Sequence, residues 1–518
     1  MMLKNTLDVK CFLEELIHLP TGKETAKYLS SNGSEEKIDL VVKEVSSPAA
    51  APTSQPINLN ETASIRYFAA TNQIGNNGSV LVQIATKSEL ISTVRFQKEI
   101  ERLNPGCSVT TLFFDKDHGV LISTRPEPHV SVRLEGLSGT LYPLLANDSS
   151  SVLAKVAFGT MSSIDKTKFW KTSEEFVYSN EQTDEVQALK FEIATNLFTN
   201  ETISSVSNDF VNLLKSSLMD GLSVGPLCLT HGSLTTDFLV AAVLRPQPKK
   251  IDLEALRGED YPPEAAPPPA VGDLRIVGGN KSFFGPIGFD LGTLVAHLLI
   301  ALSGARAKVR VEEKKVAKGG YAKYSSERAR DRWVVHSTAL VEVIVDLFSG
   351  FSTRMLSLWD EQRGIIQTPP VSSCCSDGTD KREHQHVIQK DDGFWKHQLS
   401  ILGEILQSSI GFSACELAHR FSSTLDTQSL SPLMKEESEW VIKLLSKVLI
   451  ESGMDISSRI TRKAIASEAR EKAVDIFVNL YGEAIVALFA VIDKSKGANK
   501  SNQEAMDEIS TVMSSLLD

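Results

Sequence analysis

A change of hydrophobic period constrains this chain more than any other feature. Four short apolar runs, at 65–70, 80–85, 109–114 and 119–123, read as strands around a helix at about 89–103. An earlier strand is expected over 38–42, after an amphipathic first helix within 3–17. From about residue 143 the period becomes helical, with amphipathic stretches around Leu189 and Leu213. The fold class expected is therefore α+β, a small β-rich part followed by a larger, mostly α-helical one. At 518 residues and 42% hydrophobic content the chain is large enough to bury a core in each.

Charge and cysteine usage narrow the function classes. A net charge of −11 excludes wholesale wrapping of nucleic acid, although a local patch can escape the average. No apolar run is read as membrane-spanning, and Asp8, Glu14 and Glu15 in the first helix argue against a cleaved targeting peptide. Six cysteines, Cys11, Cys107, Cys228, Cys374, Cys375 and Cys415, form no CxxC pair and imply reduced thiols. An intracellular setting follows as an expectation, either the cytoplasm or a mitochondrial or other organelle matrix.

Three segments carry a family resemblance. They are Leu229-Thr230-His231-Gly232-Ser233-Leu234-Thr235-Thr236-Asp237, Phe283-Phe284-Gly285-Pro286-Ile287-Gly288-Phe289-Asp290-Leu291-Gly292 and Ile410-Gly411-Phe412-Ser413-Ala414-Cys415-Glu416-Leu417-Ala418-His419-Arg420. In this order they resemble the 5-methylthioribose kinases of the aminoglycoside-phosphotransferase and choline-kinase branch, with their HGD catalytic loop, DPE metal loop, GPMGFDIG helix start and IGFAGCEMIRR segment. The resemblance implies a two-lobed, protein-kinase-like fold. It places the N-lobe at 1–126, with an Ala/Pro/Ser-rich link near 46–56, and a hinge at Ser123-Thr124-Arg125-Pro126. The helical C-lobe would span 127–452, and an added C-terminal helix and tail 453–518. The added helix is expected as one long segment over 460–492, packed on the large lobe, with a frayed tail after Lys494.

The same resemblance exposes losses. Ser233 stands where the family has the Asp that orients or deprotonates the attacking hydroxyl, and a serine cannot take that proton near neutrality. Gly278-Gly279-Asn280 replaces the metal-binding DPE, leaving one amide where magnesium wants carboxylates. Gln83 replaces the phosphate-binding Lys, and Asn60-Glu61-Thr62-Ala63-Ser64 has no glycine for a nucleotide loop. His419-Arg420 stands for a paired Arg-Arg, so Arg420 is kept and His419 departs. His231, His419 and Arg420 are expected to line a cleft without catalysing, and no cofactor or metal is expected. Asp237 or Asp290 acting as a substitute base is the catalytic alternative, with Asp290 read first as a capping or supporting carboxylate at a helix start.

Three stretches are expected as insertions. One at 246–272 contains Glu259 to Pro269, stiffened towards polyproline geometry. Another at 368–392 carries Cys374, Cys375, His384 and His386 in a polar loop, without the spacing of a zinc site. The third, 304–332, sets ten basic residues (Arg306, Lys308, Arg310, Lys314, Lys315, Lys318, Lys323, Arg328, Arg330 and Arg332) against four acidic ones. Gly319-Gly320 is read as letting it conform as a loop, and Tyr321 and Tyr324 offer faces on which unpaired bases can stack. Such a segment attracts polyanions.

The function expected is thus a catalytically inactive, methylthioribose-kinase-like scaffold that binds RNA or its 5′ phosphates in a ribonucleoprotein assembly. Protein partners, as a homo- or heterodimer, are expected with it. Two alternatives stand beside it: an ATP-dependent small-molecule kinase with displaced catalytic groups, and an adaptor binding proteins alone.

Overall fold

The computed structural model describes residues 5–30, 40–45, 65–72, 79–125, 130–161, 192–195, 197–198, 208–220, 227–241, 274–319, 323–362, 392–422, 432–497 and 501–517. The link at 46–56, the nucleotide-loop positions 60–64, the insertion at 246–272, Tyr321 and the cysteine and histidine pairs of 368–392 lie outside them. The fold is α+β and two-lobed, with two compact units. One takes Met1–Glu101, Pro105–Asp148 and Thr236–Gly278; the other takes Arg102–Asn104, Ser149–Thr235 and Gly279–Asp518.

The first unit is built on an antiparallel sheet of β1 (Leu40–Val45), β2 (Arg66–Asn72), β3 (Ser79–Ile84), β4 (Thr111–Asp115) and β5 (Val120–Arg125), in the order β1-β2-β3-β5-β4. Alternation sorts its side chains. Phe68, Ala70, Val80, Val82 and Ile122 pack on one face with Val9, Leu13 and Leu16 of α1 (Thr6–Leu16) and Leu29 of α2 (Lys23–Leu29). Leu121 turns the other way, towards Leu90 and Val94 of α3 (Lys87–Leu103). Covered on both sides, β3 reads as an almost continuous apolar run. Asn5 caps α1 by accepting from the amides of Leu7 and Asp8, both at 2.9 Å, and Thr86 and Glu89 form a capping box at α3.

A small sheet in the order β6-β8-β9 ties later chain to this unit: β6 (Val130–Ser131), β8 (Leu239–Ala241) and β9 (Leu274–Ile276), with α4 (Val132–Ser138) following β6. For that reason 236–278 belongs with the sheet unit, and apart from Arg102–Asn104 the chain stays in that unit as far as Asp148. The hinge and boundary expected at 123–126 fall partly on residues outside the described set.

The second unit is helical around a two-stranded ladder of β7 (Leu227–Thr230) and β10 (Phe283–Pro286). Its helices are α5 (Leu145–Thr160), α6 (Asn208–Asp220), α7 (Gly288–Lys318), α8 (Lys323–Gln362), α9 (Asp392–Ser422), α10 (Pro432–Ile465), α11 (Arg470–Gly497) and α12 (Asn502–Leu517). Helix α7 packs against α8, α9 and α10, while α11 packs on α8 and α10 and is followed by α12.

Several expectations change here. The stretch at 304–332 is not a loop: α7 runs to Lys318 and α8 begins at Lys323, because Lys, Arg, Glu and Ala are strong helix formers and no proline interrupts them. The segment at 460–492 is two helices, broken at 466–469. The tail is helical, since Ser501 accepts from the Glu504 amide at 3.2 Å while Glu504 accepts from the Ser501 amide at 2.9 Å, a capping box ahead of buried Ala505 and Ile509. Finally, α7, α8 and residues 470–494 of α11 are long and apolar enough to cross a membrane, contrary to the expectation of no such run. Their apolar windows are 83%, 39% and 44% buried, the α7 window by its neighbours on several sides.

Candidate functional site

The loop after β7 is fixed from below by a carboxylate. Thr230 leaves the ladder donating its hydroxyl to the Phe283 carbonyl at 2.8 Å. The next two backbone amides then point at Asp290 on the first turn of α7: His231 N–H donates to Oδ2 at 2.5 Å and Gly232 N–H to Oδ1 at 3.2 Å. Asp290 is fully buried, and burial pushes its carboxyl up to about 7, which the two amide hydrogen bonds only partly oppose. Asp290 therefore does not cap its own helix, as the sequence reading allowed. It ties the loop to α7.

Gly232 is required where it stands. Its φ is +80°, and a Cβ there would lie 1.8 Å from the Lys281 carbonyl oxygen. The base of α7 is equally close-packed: a Cβ at Gly288 would meet Ser408 Oγ at 2.2 Å, and one at Gly292 the Ser409 carbonyl at 2.4 Å. Phe289 fills this corner, edge-on to Phe283 at 5.3 Å and to Phe412 at 5.1 Å between ring centroids. All three segments of the resemblance meet here, so glycines and phenylalanines explain its spacing.

Ser233 and Gly278-Gly279-Asn280 are the positions that the resemblance aligns with the family's reacting and metal-binding residues. Ser233 is half-buried, and its carbonyl accepts the Thr235 amide at 2.9 Å in the turn that follows. Gly278 and Gly279 have φ of +86° and +102°, a backbone in which an aspartate would be strained. Asn280 is 4% exposed and its Oδ1 has no hydrogen-bond partner among the described residues. One neutral oxygen beside two glycines does not fit magnesium. Among the described residues no group of three or more His, Cys, Asp and Glu side chains could hold a metal.

Asp237, the other substitute considered, belongs to the sheet unit and accepts from Arg133 Nη1 at 2.7 Å. Gln83 also lies there, on β3 opposite Tyr67 and Leu121. It is 3% exposed, and its Nε2 has no hydrogen-bond partner among the described residues. Burial, then Glu89, raises the neighbouring Tyr67 hydroxyl far above its ordinary range, so Tyr67 stays neutral.

Arg420 is held in a buried cluster instead of standing open. Its Nε donates to Glu416 Oε1 at 2.8 Å, and His297 Nε2 on α7 approaches the same oxygen at 3.2 Å. Burial alone would raise the Glu416 carboxyl; Arg420 and then His297 hold it well below the usual carboxylate range. His419, the adjacent departure, is partly buried, while His231 is buried completely. Cys228 and Cys415 are buried thiols raised by burial, Cys415 to about 12. With Cys11 and Cys107 they form no disulfide.

The basic residues are distributed over the α7/α8 hairpin. Arg306 and Arg310 pair with Asp493 of α11 at 3.7 and 3.3 Å. Lys308 lies 3.9 Å above the Trp333 ring and Arg332 5.3 Å from it, and burial, then Arg332, lowers the Lys308 ammonium. Lys315 pairs with Glu312, Lys323 with Glu327 and Arg330 with Asp331. Lys314, Lys318 and Arg328 are exposed, as is Tyr324 at 79%. Sequence reasoning found these cations, and Trp333 after them, but missed Asp493, which engages Arg306 and Arg310.

Two rice proteins are similar to this chain in sequence. Methylthioribose kinase 2 of Oryza sativa subsp. japonica is 19% identical over 312 residues, 57% of this chain and 57% of that protein. Methylthioribose kinase 1 of the same plant is 19% identical over 263 residues, 47% of this chain and 49% of that protein. The chain is distantly kinase-like. It spans about half the length of these curated relatives, and no family model matches it.

Proposed function

We propose that this kinase-like chain is catalytically inactive and serves as a binding subunit that holds RNA, or RNA 5′ phosphates, in an assembly with protein partners. One observation carries the inactive part: both oxygens of Asp290 are taken by the amides of His231 and Gly232, next to a loop that offers Ser233 as its reacting-position residue. A carboxylate committed to two amides at the foot of the loop is a support, not a base. Phosphoryl transfer depends almost wholly on positioning and charge stabilisation, and the glycines and amides at 278–280 with Gln83 offer neither carboxylate nor ammonium.

The cationic hairpin supports the RNA part, because it concentrates positive charge and an exposed tyrosine in a chain of net charge −11. A mobility-shift titration of purified protein with single-stranded RNA, repeated across salt, tests it. Binding that weakens steeply with salt is expected, and affinity no better than for a neutral polymer overturns it.

The similarity to methylthioribose kinases favours a second reading, a kinase acting on a small alcohol by displaced groups. ADP release stimulated by methylthioribose would establish that reading. Absence of magnesium-nucleotide binding would remove it.

A further inference from the structure

The cations of the hairpin fall into an inner group packed towards α11 and Trp333 and an exposed outer group, of which Lys323 lies 4.0 Å from Glu327. Arg306, Arg310, Lys314 and Lys318 form a strict i, i+4 row along α7, rising about 6 Å per step. The inner two, about a quarter to a third exposed, face α11, where the Asp493 carboxylate takes Arg306 on Oδ2 and Arg310 on Oδ1. The outer two are exposed. On α8 a second row, Tyr324, Arg328 and Arg332, begins at the same end of the hairpin, with Lys323 beside it. Arg332 at its inner end lies near the Trp333 ring, which Lys308 also covers.

We propose that the RNA surface is the outer end of the hairpin, Lys314, Lys318, Lys323 and Arg328 with the Tyr324 ring, and that Asp493 acts as an internal anion keeping Arg306 and Arg310 out of it. This rests on the RNA-binding reading above and specifies its site and its limit. Cations repeating at a regular step suit a regular polyanion better than an irregular acidic protein surface. The exposed Tyr324 ring, beside the Arg328 row, selects single strands, whose bases are free to stack. Asp493 neutralises one of two arginines and orients both, so the row is shorter in effect than in sequence. Replacing that carboxylate by an amide of the same size removes one negative charge and frees both arginines to meet phosphates.

The experiment uses the full chain and an oligouridylate, titrated at several salt concentrations. K318E/R328E is expected to lose at least about tenfold in affinity and to flatten the salt dependence, since each lost phosphate contact removes about 0.7 from the slope for a single strand. K443E/K472E, the same charge change at exposed positions on α10 and α11, is expected to change affinity by less than about threefold. D493N is expected to bind more tightly, with a slope steeper by up to about 1.4. Wild-type protein that binds no oligouridylate overturns both this inference and the reading beneath it. Binding that K318E/R328E leaves intact, that K443E/K472E weakens equally, that D493N leaves unchanged, or that duplex RNA matches, overturns this inference alone.

Discussion

Asp290 Oδ2 accepts the His231 backbone N–H at 2.5 Å across 59 positions of sequence, joining the loop after β7 to the helix that follows β10. Its carboxyl is pushed up to about 7 from 3.8, so between these values the folded chain holds a proton that the unfolded chain has released. Stability from this group is therefore complete below about pH 4 and is lost as pH rises through 7, with an upper bound of about 4 kcal/mol. In Asp290→Asn this slope disappears. The amide also turns an N–H towards a backbone N–H, so the variant is expected to be less stable at pH 5 by about 1–3 kcal/mol. Urea unfolding from pH 4 to 8 checks both outcomes, and a wild-type slope retained in the variant would contradict the assignment.

Gly232→Ala should be worse than an ordinary glycine substitution. The left-handed backbone alone costs about 1–2 kcal/mol with a Cβ, and the Lys281 carbonyl 1.8 Å from that Cβ forces the loop to shift. Thermal unfolding is expected to show a loss of more than about 2 kcal/mol. Gly304→Ala serves as the comparison, because nothing lies within 4 Å of its Cβ position in α7. There a gain of up to about 1 kcal/mol is expected from helix propensity.

Glu416 titrates in the opposite direction to Asp290. Held below its ordinary 4.5 by Arg420 and His297, it contributes stability that is present above that value and lost as pH falls beneath it. Glu416→Gln should therefore flatten the acid limb of the stability profile below about pH 4.5 while leaving the limb between 4 and 7 in place. At pH 7 the variant leaves Arg420, about a quarter exposed, without its carboxylate and is expected to be less stable. A double-mutant cycle with Arg420→Ala measures the coupling, and a value near zero would show that the pair is merely adjacent.

How much of this was legible in the sequence depends on the range of the interaction. The strands at 66–72, 79–84 and 120–125 and the helix at 87–103 follow from period and capping residues, which are local. The meeting of His231, Phe283, Asp290 and Phe412 was legible only through a motif order, because the residues that hold it are far apart in the chain. The hairpin reads as a loop because Gly319-Gly320 and dense charge resemble one, although its composition favours the helices it forms. Asp493 could not have been found at all: it meets Arg310 across 183 positions, and no local pattern marks an exposed aspartate on a late helix as the partner of a basic row.

Restoring one carboxylate should not restore chemistry. Ser233→Asp places a candidate base at the loop position, and where the remaining machinery is intact a base is worth roughly 10²–10⁴-fold in rate. On the inactive reading, the positions aligned by the resemblance with the family's metal loop read Gly278-Gly279-Asn280, with left-handed backbone at both glycines, and Gln83, aligned with its phosphate-binding lysine, carries no charge. A transferred phosphoryl group needs its charge neutralised as well as its nucleophile oriented. Magnesium-dependent ADP release with methylthioribose is accordingly expected at the protein-free rate for wild type, Ser233→Ala and Ser233→Asp alike. A rise of roughly 10²-fold in Ser233→Asp over wild type would mean that nucleotide and metal are still held productively, and the inactive reading would fall with it.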